Sequence, residues 1–302
     1  MNSKIHYLVN KKSLTTVSVG IPSYNEESNI KTILEKTILS NLGTIDLVEI
    51  IVSDDSTDDT PKMVKQFMQD NSKKIIFLHD DRRRGAGNAW NNIIQRASGE
   101  IIILYDADVI PEENCILELV GKISNNVGIC ASNPKPIEDV GIPANGTIFV
   151  SEWLESVRKR QLSEYTVMGR GLSIRSDIAK KISIPEGVIA IDLYIQNKVL
   201  EMGYDVVFNP SAIVLFKPAK TFVDFVSQVV RAQNGHNQLK DLGSATKNKL
   251  SLKTATMEFL RVAIRNPIGA LCTFICYVMI PFYAKRIKNT DSALWHTAQS
   301  TK

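Results

Sequence analysis

Four strand-length apolar runs, each followed by a polar turn and most then by helical periodicity, leave this chain few ways to fold. Val17-Ser18-Val19-Gly20-Ile21-Pro22 alternates as a short strand and ends in the polar cluster Ser23 to Glu27, after which Ile30, Ile33, Leu34 and Ile38 recur at helical spacing. Val48 to Val52 reads as a second, buried strand, closed by Ser53-Asp54-Asp55-Ser56-Thr57-Asp58-Asp59 before Thr60-Pro61, which suits a cap and a first helical position. Ile75 to Leu78 is a third strand, and the basic turn Asp81-Arg82-Arg83-Arg84-Gly85-Ala86-Gly87 opens a helix running to about Ala97. Ile101 to Tyr105 is the fourth. Strands alternating with helices make a parallel sheet with helices on both faces, and such sheets collect ligands beyond the carboxyl ends of their strands.

The fourth run carries the sharpest chemistry. Five apolar or aromatic residues break into Asp106-Ala107-Asp108 and stop at Pro111. Two carboxylates side by side repel, and desolvation worsens the repulsion, which a divalent cation relieves; hard oxygen ligands suit Mg2+ or Mn2+. Alone, the motif also fits a solvated acidic turn. Its company decides: the loops after the first, second and fourth strands carry Asn25-Glu26, Asp54-Asp55 and Asp106-Asp108, so all three belong to one crevice. Polar groups there can hold a ribose and a base edge, and a carboxylate can accept from the imide of uracil. Arg82, Arg83 and Arg84 can reach phosphate or those carboxylates, or form a solvated basic loop. Gly85 and Gly87 follow the third strand and lack a third glycine, which argues against a dinucleotide fingerprint.

Composition excludes other classes. At 44% apolar and 23% charged residues with a formal charge of +4, the chain is ordinary for a globular protein and gives no support for nucleic-acid binding. Cys115, Cys130, Cys272 and Cys276 contain no Cys-x-x-Cys pair, so neither a zinc site nor a disulfide framework is indicated, and Cys272 and Cys276 read as buried free thiols. No N-terminal stretch has the length of a signal-peptide core, so a cytoplasmic protein is expected.

Val17 to Glu26, Val52 to Thr60, Arg84 to Asn91 and Asp106 to Asp108 resemble the successive signatures of glycosyltransferase family 2, in that family's order and separations. The resemblance implies a GT-A nucleotide-diphospho-sugar transferase fold of the α/β class, an activated NDP-sugar donor with a UDP-sugar favoured, a divalent metal, and inversion at the anomeric carbon. Carried onto matching positions, it assigns donor binding to Pro22, Tyr24, Asn25, Glu26, Asp54, Asp55, Arg84, Gly85, Asp106, Ala107 and Asp108, with Asp106 and Asp108 as metal ligands. Tyr165 to Arg175 resembles the glycine-bearing strand before the acceptor site, although Gly169 and Gly171 also fit a bulge or turn. Ala190-Ile191-Asp192 stands where the family has Glu-Asp; the glutamate is Ile191 here, and Asp192 is left as catalytic base or as a helix N-cap.

Gly203 to Pro210 resembles the next strand. In Ser211 to Lys217, many relatives place a histidine metal ligand; none stands here, Phe216 being nearest, so either Asp108 holds the metal with diphosphate and water or His236 comes in from elsewhere, a lone histidine in a polar turn being more often just exposed. Residues 221–232 form an amphipathic helix with Phe222, Phe225, Val226, Val229 and Val230 on one face. Gln228-x-x-Arg231 resembles a donor-binding element of the family, with Ala232 where processive synthases carry tryptophan.

The expected organisation is a peripheral tail at 1–13, a catalytic domain at 14–218 with a nucleotide-sugar half (14–130) and an acceptor half (131–218), and a helical region at 219–302. Within the last, the uncharged stretch 268–284 is flanked by Arg261, Arg265, Lys285, Arg286 and Lys288, and suits a membrane as a shallow span or an interfacial helix, with a buried packing helix as the alternative. The activity implied is transfer of sugar from the donor to a membrane lipid or lipid-linked glycan at the cytoplasmic face. The departures at Ile191, Phe216 and Ala232 also fit a non-catalytic nucleotide-sugar-binding protein, and a nucleotidyltransferase on a related sheet is a further alternative.

Overall fold

The structure is a computed structural model that describes residues 14–72, 74–160, 167, 169–241 and 251–287. The tail 1–13, Tyr165, Thr166, Met168 and Lys288 lie outside the described residues. Eight strands form one sheet in the order β3-β2-β1-β4-β7-β6-β8-β5. The sequence-predicted runs become β1 (Thr15–Ser23), β2 (Ile45–Asp54), β3 (Ile75–His79) and β4 (Ile101–Tyr105), and their pairings are parallel. β4 is buried along its whole length. The helices α1 (Ile30–Ile38), α2 (Thr60–Asp70) and α3 (Ala86–Arg96) return the chain between them. Two apolar clusters, one centred on Val17, Val19, Ile50 and Ile103 and the other on Trp90, Ile93, Ile102 and Leu104, cover the two faces. Alternate residues of β4 fall in alternate clusters, as the period-2 geometry of a strand requires.

After β4 the chain forms β5 (Val109–Pro111), α4 (Cys115–Val120), β6 (Val127–Pro136) and α5 (Ile142–Arg158). β7 (Gly171–Arg175) runs antiparallel between β4 and β6, and β8 (Asp205–Phe216) runs parallel to β6. The short α6 (Ser176–Ala179) and α7 (Ile191–Glu201) lie between β7 and β8. Residues 203–210 and 211–217, read as two segments, form one strand with irregular register, shifting opposite Ala131 to Asn133. Residue 130 falls inside β6, so strands from both sides of it share the sheet.

The remaining helices are α8 (Phe222–Asp241), α9 (Leu252–Arg265) and α10 (Pro267–Ile287). α8 continues nine residues beyond its expected end at 232, so His236 sits on a helix and not in a turn. Phe225 and Val226 are buried on its expected apolar face. α10 packs on α5 and α8 through Cys272, Thr273 and Cys276, where Gly146 of α5 lets the backbones approach. All four cysteines are buried and free. The opposite face of α10 exposes Ile268, Leu271, Phe274, Val278 and Phe282, and α9 exposes Leu252, Met257, Leu260 and Ile264. Among the described residues, no helix is long and apolar enough to cross a membrane.

Candidate functional site

A crevice of about 640 Å3 opens at the carboxyl ends of β1, β2 and β4, between them and α7 and α8. Its polar side is lined by Pro22, Ser23, Tyr24, Glu26, Asp55, Arg83, Gly85, Asp106, Ala107, Asp108, Gly169, Arg170, Asp192, Gln228 and Arg231. Eleven of the expected site residues therefore converge on one space. Asn25, Asp54 and Arg84 are not among the described residues that line it.

Each of those three has a different job. Asp54 is buried and accepts from the Ser23 and Ser56 hydroxyls, both at 2.5 Å, while His79 Nδ1 lies at 2.8 Å. Asn25 adopts a positive φ of 53°; its side-chain oxygen accepts from the Thr57 N–H at 2.8 Å, stitching the β1 and β2 loops together. Arg84 sends its Nε to Asp80 at 2.5 Å, so the cation facing the crevice from this basic run is Arg83, whose guanidinium lies 3.8 Å from the Tyr24 ring centroid. Asp55 organises the turn: its Oδ2 accepts from the N–H groups of Arg84 at 2.8 Å and Gly85 at 3.0 Å. Gly85 has φ 84°, a conformation that glycine adopts without strain. Burial nonetheless pushes the Asp55 carboxyl above its ordinary value.

Thr60, expected as a helix cap, is instead the first residue of α2, behind Asp59. Its hydroxyl accepts from the Glu26 N–H at 2.8 Å and fixes the start of the β1 loop. Asp192 likewise is not the N-cap of α7, a position held by Ala190, but lies in the first turn. There its carboxylate accepts from the N–H groups of Leu193 and Gly169, and burial raises its pKa above the ordinary aspartate value despite those donors and the Arg231 charge. Ile191, the departure from Glu-Asp, turns into the core.

The acidic pair after β4 remains short of donors. Asp106 Oδ2 accepts from the Arg170 N–H at 3.1 Å, and Asp108 has Arg170 Nη1 at 3.9 Å. Burial, then the neighbouring Asp108, pushes Asp106 up to about 6. Gly169 takes the turn expected of it, with φ 52°, and a Cβ there would stand 3.6 Å from Asp192 Oδ2 and 3.8 Å from Asp106 Oδ2. This glycine holds the two carboxylates on either side of one backbone corner. Arg231, open to the crevice as a residue, has its guanidinium crowded by protein, and that burial lowers its pKa against the pull of Asp106 and Asp192.

Two carboxylates with an unmet demand for positive charge fit a hard divalent cation that completes its shell with phosphate oxygens and water. No group of three or more His, Cys, Asp or Glu side chains among the described residues makes a closed protein cage. His236 lines the same crevice from α8, yet joins no such group.

Arg170 and the far wall were not foreseen. An arginine isolated between Gly169 and Gly171 was the available signal for the first. The wall is apolar: Val150 and Trp153 of α5, Phe225 and Val229 of α8 and Tyr277 of α10 continue the crevice away from the carboxylates. Phe225 and Tyr277 meet edge to face, at 6.0 Å between centroids. Its members come from three helices distant in sequence, so no local pattern announces it.

The sequence model of "Glycosyl transferase family 2" matches residues 18–181. "Probable glycosyltransferase YdaM" of Bacillus subtilis (strain 168) is 27% identical over 237 residues, covering 75% of this chain and 56% of that protein. The chain thus spans little more than half the length of this curated relative. The mannosyltransferase PcManGT from Pyrobaculum calidifontis, solved with GDP-Man and Mn2+, superposes with a TM-score of 0.62 at 18% identity over 94% of this chain and 84% of its own. S. aureus TarS in complex with UDP-GlcNAc gives 0.52 at 16% identity, over 90% of this chain and 92% of that one. At such identities the two structures speak for the fold.

Proposed function

The chain belongs to glycosyltransferase family 2 and carries its GT-A fold, and on that premise we propose that it is a metal-dependent inverting glycosyltransferase moving sugar from an NDP-sugar, a UDP-sugar by preference, to a lipid-type acceptor at a membrane. One observation carries the reading: Asp106, Asp108 and Asp192 open on one crevice together with the ends of β1 and β2. Tyr24, Glu26 and Asp55 hold the nucleoside, and Gln228 and Arg231 flank the diphosphate. Asp106 and Asp108 hold Mn2+ or Mg2+, which supplies positive charge to the departing diphosphate. PcManGT, solved with Mn2+ and GDP-Man, and TarS, solved with UDP-GlcNAc, support this choice of cofactor and donor class by analogy of fold.

Asp192 takes the proton from the acceptor hydroxyl as that oxygen attacks the anomeric carbon and the bond to the diphosphate breaks. Its raised pKa makes it a stronger base than an ordinary aspartate. Where the acceptor is a lipid phosphate no base is needed, and Asp192 orients the sugar instead. The apolar wall of Val150, Trp153, Phe225 and Tyr277 favours an acceptor with an apolar portion. The exposed apolar faces of α9 and α10, beside exposed Lys253, Arg261 and Arg265, suit the interface of an anionic membrane.

The test is a donor-release screen across UDP- and GDP-sugars with Mn2+, Mg2+ or chelator. Metal-dependent release of free NDP is expected. Donors bound equally well with chelator and left intact would end the reading, and pyrophosphate as product would point to nucleotidyl transfer. Vesicles of anionic phospholipid should retain the protein, and Ile264→Ser with Phe274→Ser should release it; retention unchanged by the pair sinks the membrane assignment.

A further inference from the structure

The Asp106–Asp108 site contains a cation of its own. Arg170 stands in the left-handed region at φ 58°, unusual for an arginine. Two main-chain links to Asp106 hold it there: its N–H donates to Asp106 Oδ2 at 3.1 Å, and its carbonyl accepts from the Asp106 N–H at 3.4 Å. The side chain is fixed as firmly. Its guanidinium carbon lies 3.8 Å from the centroid of the Phe216 ring, and Phe216 is buried at the end of β8, paired with Val109 beside Asp108. Nη1 reaches to 3.9 Å of Asp108 Oδ2, close enough for charge attraction and too long for a hydrogen bond. Among the described residues the guanidinium finds no hydrogen-bond acceptor, so its N–H donors stay available toward the crevice that Arg170 lines.

A flat guanidinium stacked on an aromatic ring, with its donors unspent and its charge beside a metal-binding carboxylate, is equipped for an oxyanion pair. We propose that Arg170 is a resident cation of the diphosphate site, gripping the nucleoside diphosphate directly and competing with the divalent metal for Asp108. Phe216 is the platform that keeps it in position. The arrangement adds to Arg231 a further positive charge, set directly beside the Asp106–Asp108 pair and present before any metal arrives. The inference rests on the donor site proposed above.

Calorimetric titration of UDP and GDP in chelator and in Mn2+, with Mn2+ alone followed by electron paramagnetic resonance, separates the two claims. Arg170→Asn, whose new side chain tolerates a positive φ, should weaken nucleotide binding in chelator by about tenfold or more, the scale of lost charge-assisted hydrogen bonds. The same variant should bind Mn2+ alone more tightly, because Asp108 no longer faces a competing cation. Phe216→Leu keeps the charge and removes the platform, and should show both changes at reduced size. A purely structural arginine would not tighten Mn2+ binding. Unchanged nucleotide affinity in chelator, or Mn2+ affinity unchanged or weaker, overturns the assignment. If circular dichroism shows Arg170→Asn unfolded, Phe216→Leu decides by the same two readouts. A wild-type protein that binds neither nucleotide under either condition defeats the donor-site reading itself; wild-type binding matched by every variant defeats Arg170 alone.

Discussion

The ends of β2 and β4 carry the same residue type in nearly the same place, yet they do different work. After β2, Asp54 is ringed by Ser23, Ser56 and His79, and Asp55 by two backbone N–H groups. After β4, Asp106 has a single N–H from Arg170, and Asp108 has a guanidinium at 3.9 Å. A carboxylate whose lone pairs are spent on protein donors is architecture, whereas one left short is a binding group. What distinguishes the regions is the supply of donors, not the acids. Asp55 stands between the extremes: it builds the turn at Gly85 and still lines the crevice.

Substitutions can break this contrast. Asp108→Ala should reduce NDP release by about a thousandfold, the scale of removing one preorganised charge partner in an active site, with little change in thermal midpoint. A similar loss in a folded Asp54→Ala would erase the distinction. Asp192→Asn should cost about a hundredfold in turnover with a hydroxyl acceptor while leaving donor affinity in place. Turnover unaffected in Asp192→Asn would move that residue from base to sugar-orienting group.

Asp54→Ala should act on stability, because it strands the Ser23 and Ser56 hydroxyls and the His79 ring in a buried place. A loss of about 2–3 kcal/mol is expected from a denaturant titration. A comparable effect depends on pH. Folded Asp106 holds its proton up to about 6, against an ordinary value of 3.8. Between those values the folded protein binds more protons than the unfolded chain, so this residue's contribution to stability falls as pH rises and is flat above about 6. The midpoint of the metal-free wild type relative to that of Asp106→Asn should therefore decline across this window, and a flat or rising difference would show Asp106 to be better paired than its surroundings indicate.

Periodicity made the first half of the fold legible. The runs at 17–22, 48–52, 75–78 and 101–105 each became a strand, and the alternation with helices put their polar ends in one crevice. The second half was less so. β8 looked like two segments because its register shifts beside β6, and α8 looked short because polar residues after 232 mask a helix held at Gly235 and Leu239. At the site, Arg84 was the cation expected to face the donor, but its side chain turns to Asp80, and it is Arg83 that lines the crevice. Which of three consecutive arginines faces inward depends on backbone dihedrals around Gly85 and on a competing acid, and residue type carries neither.

Order along the chain determined by itself where the strands lie, which acids stand at their ends, and hence which family the chain joins, because strand and helix periods are local and strand ends in such sheets share one edge. Only the tertiary structure decided which of those acids are open to a ligand, which arginine faces it, and that Phe216 carries Arg170 beside Asp108. Those outcomes depend on donors, rings and charges arriving from distant elements, and a carboxylate's chemistry is set by what surrounds it in space.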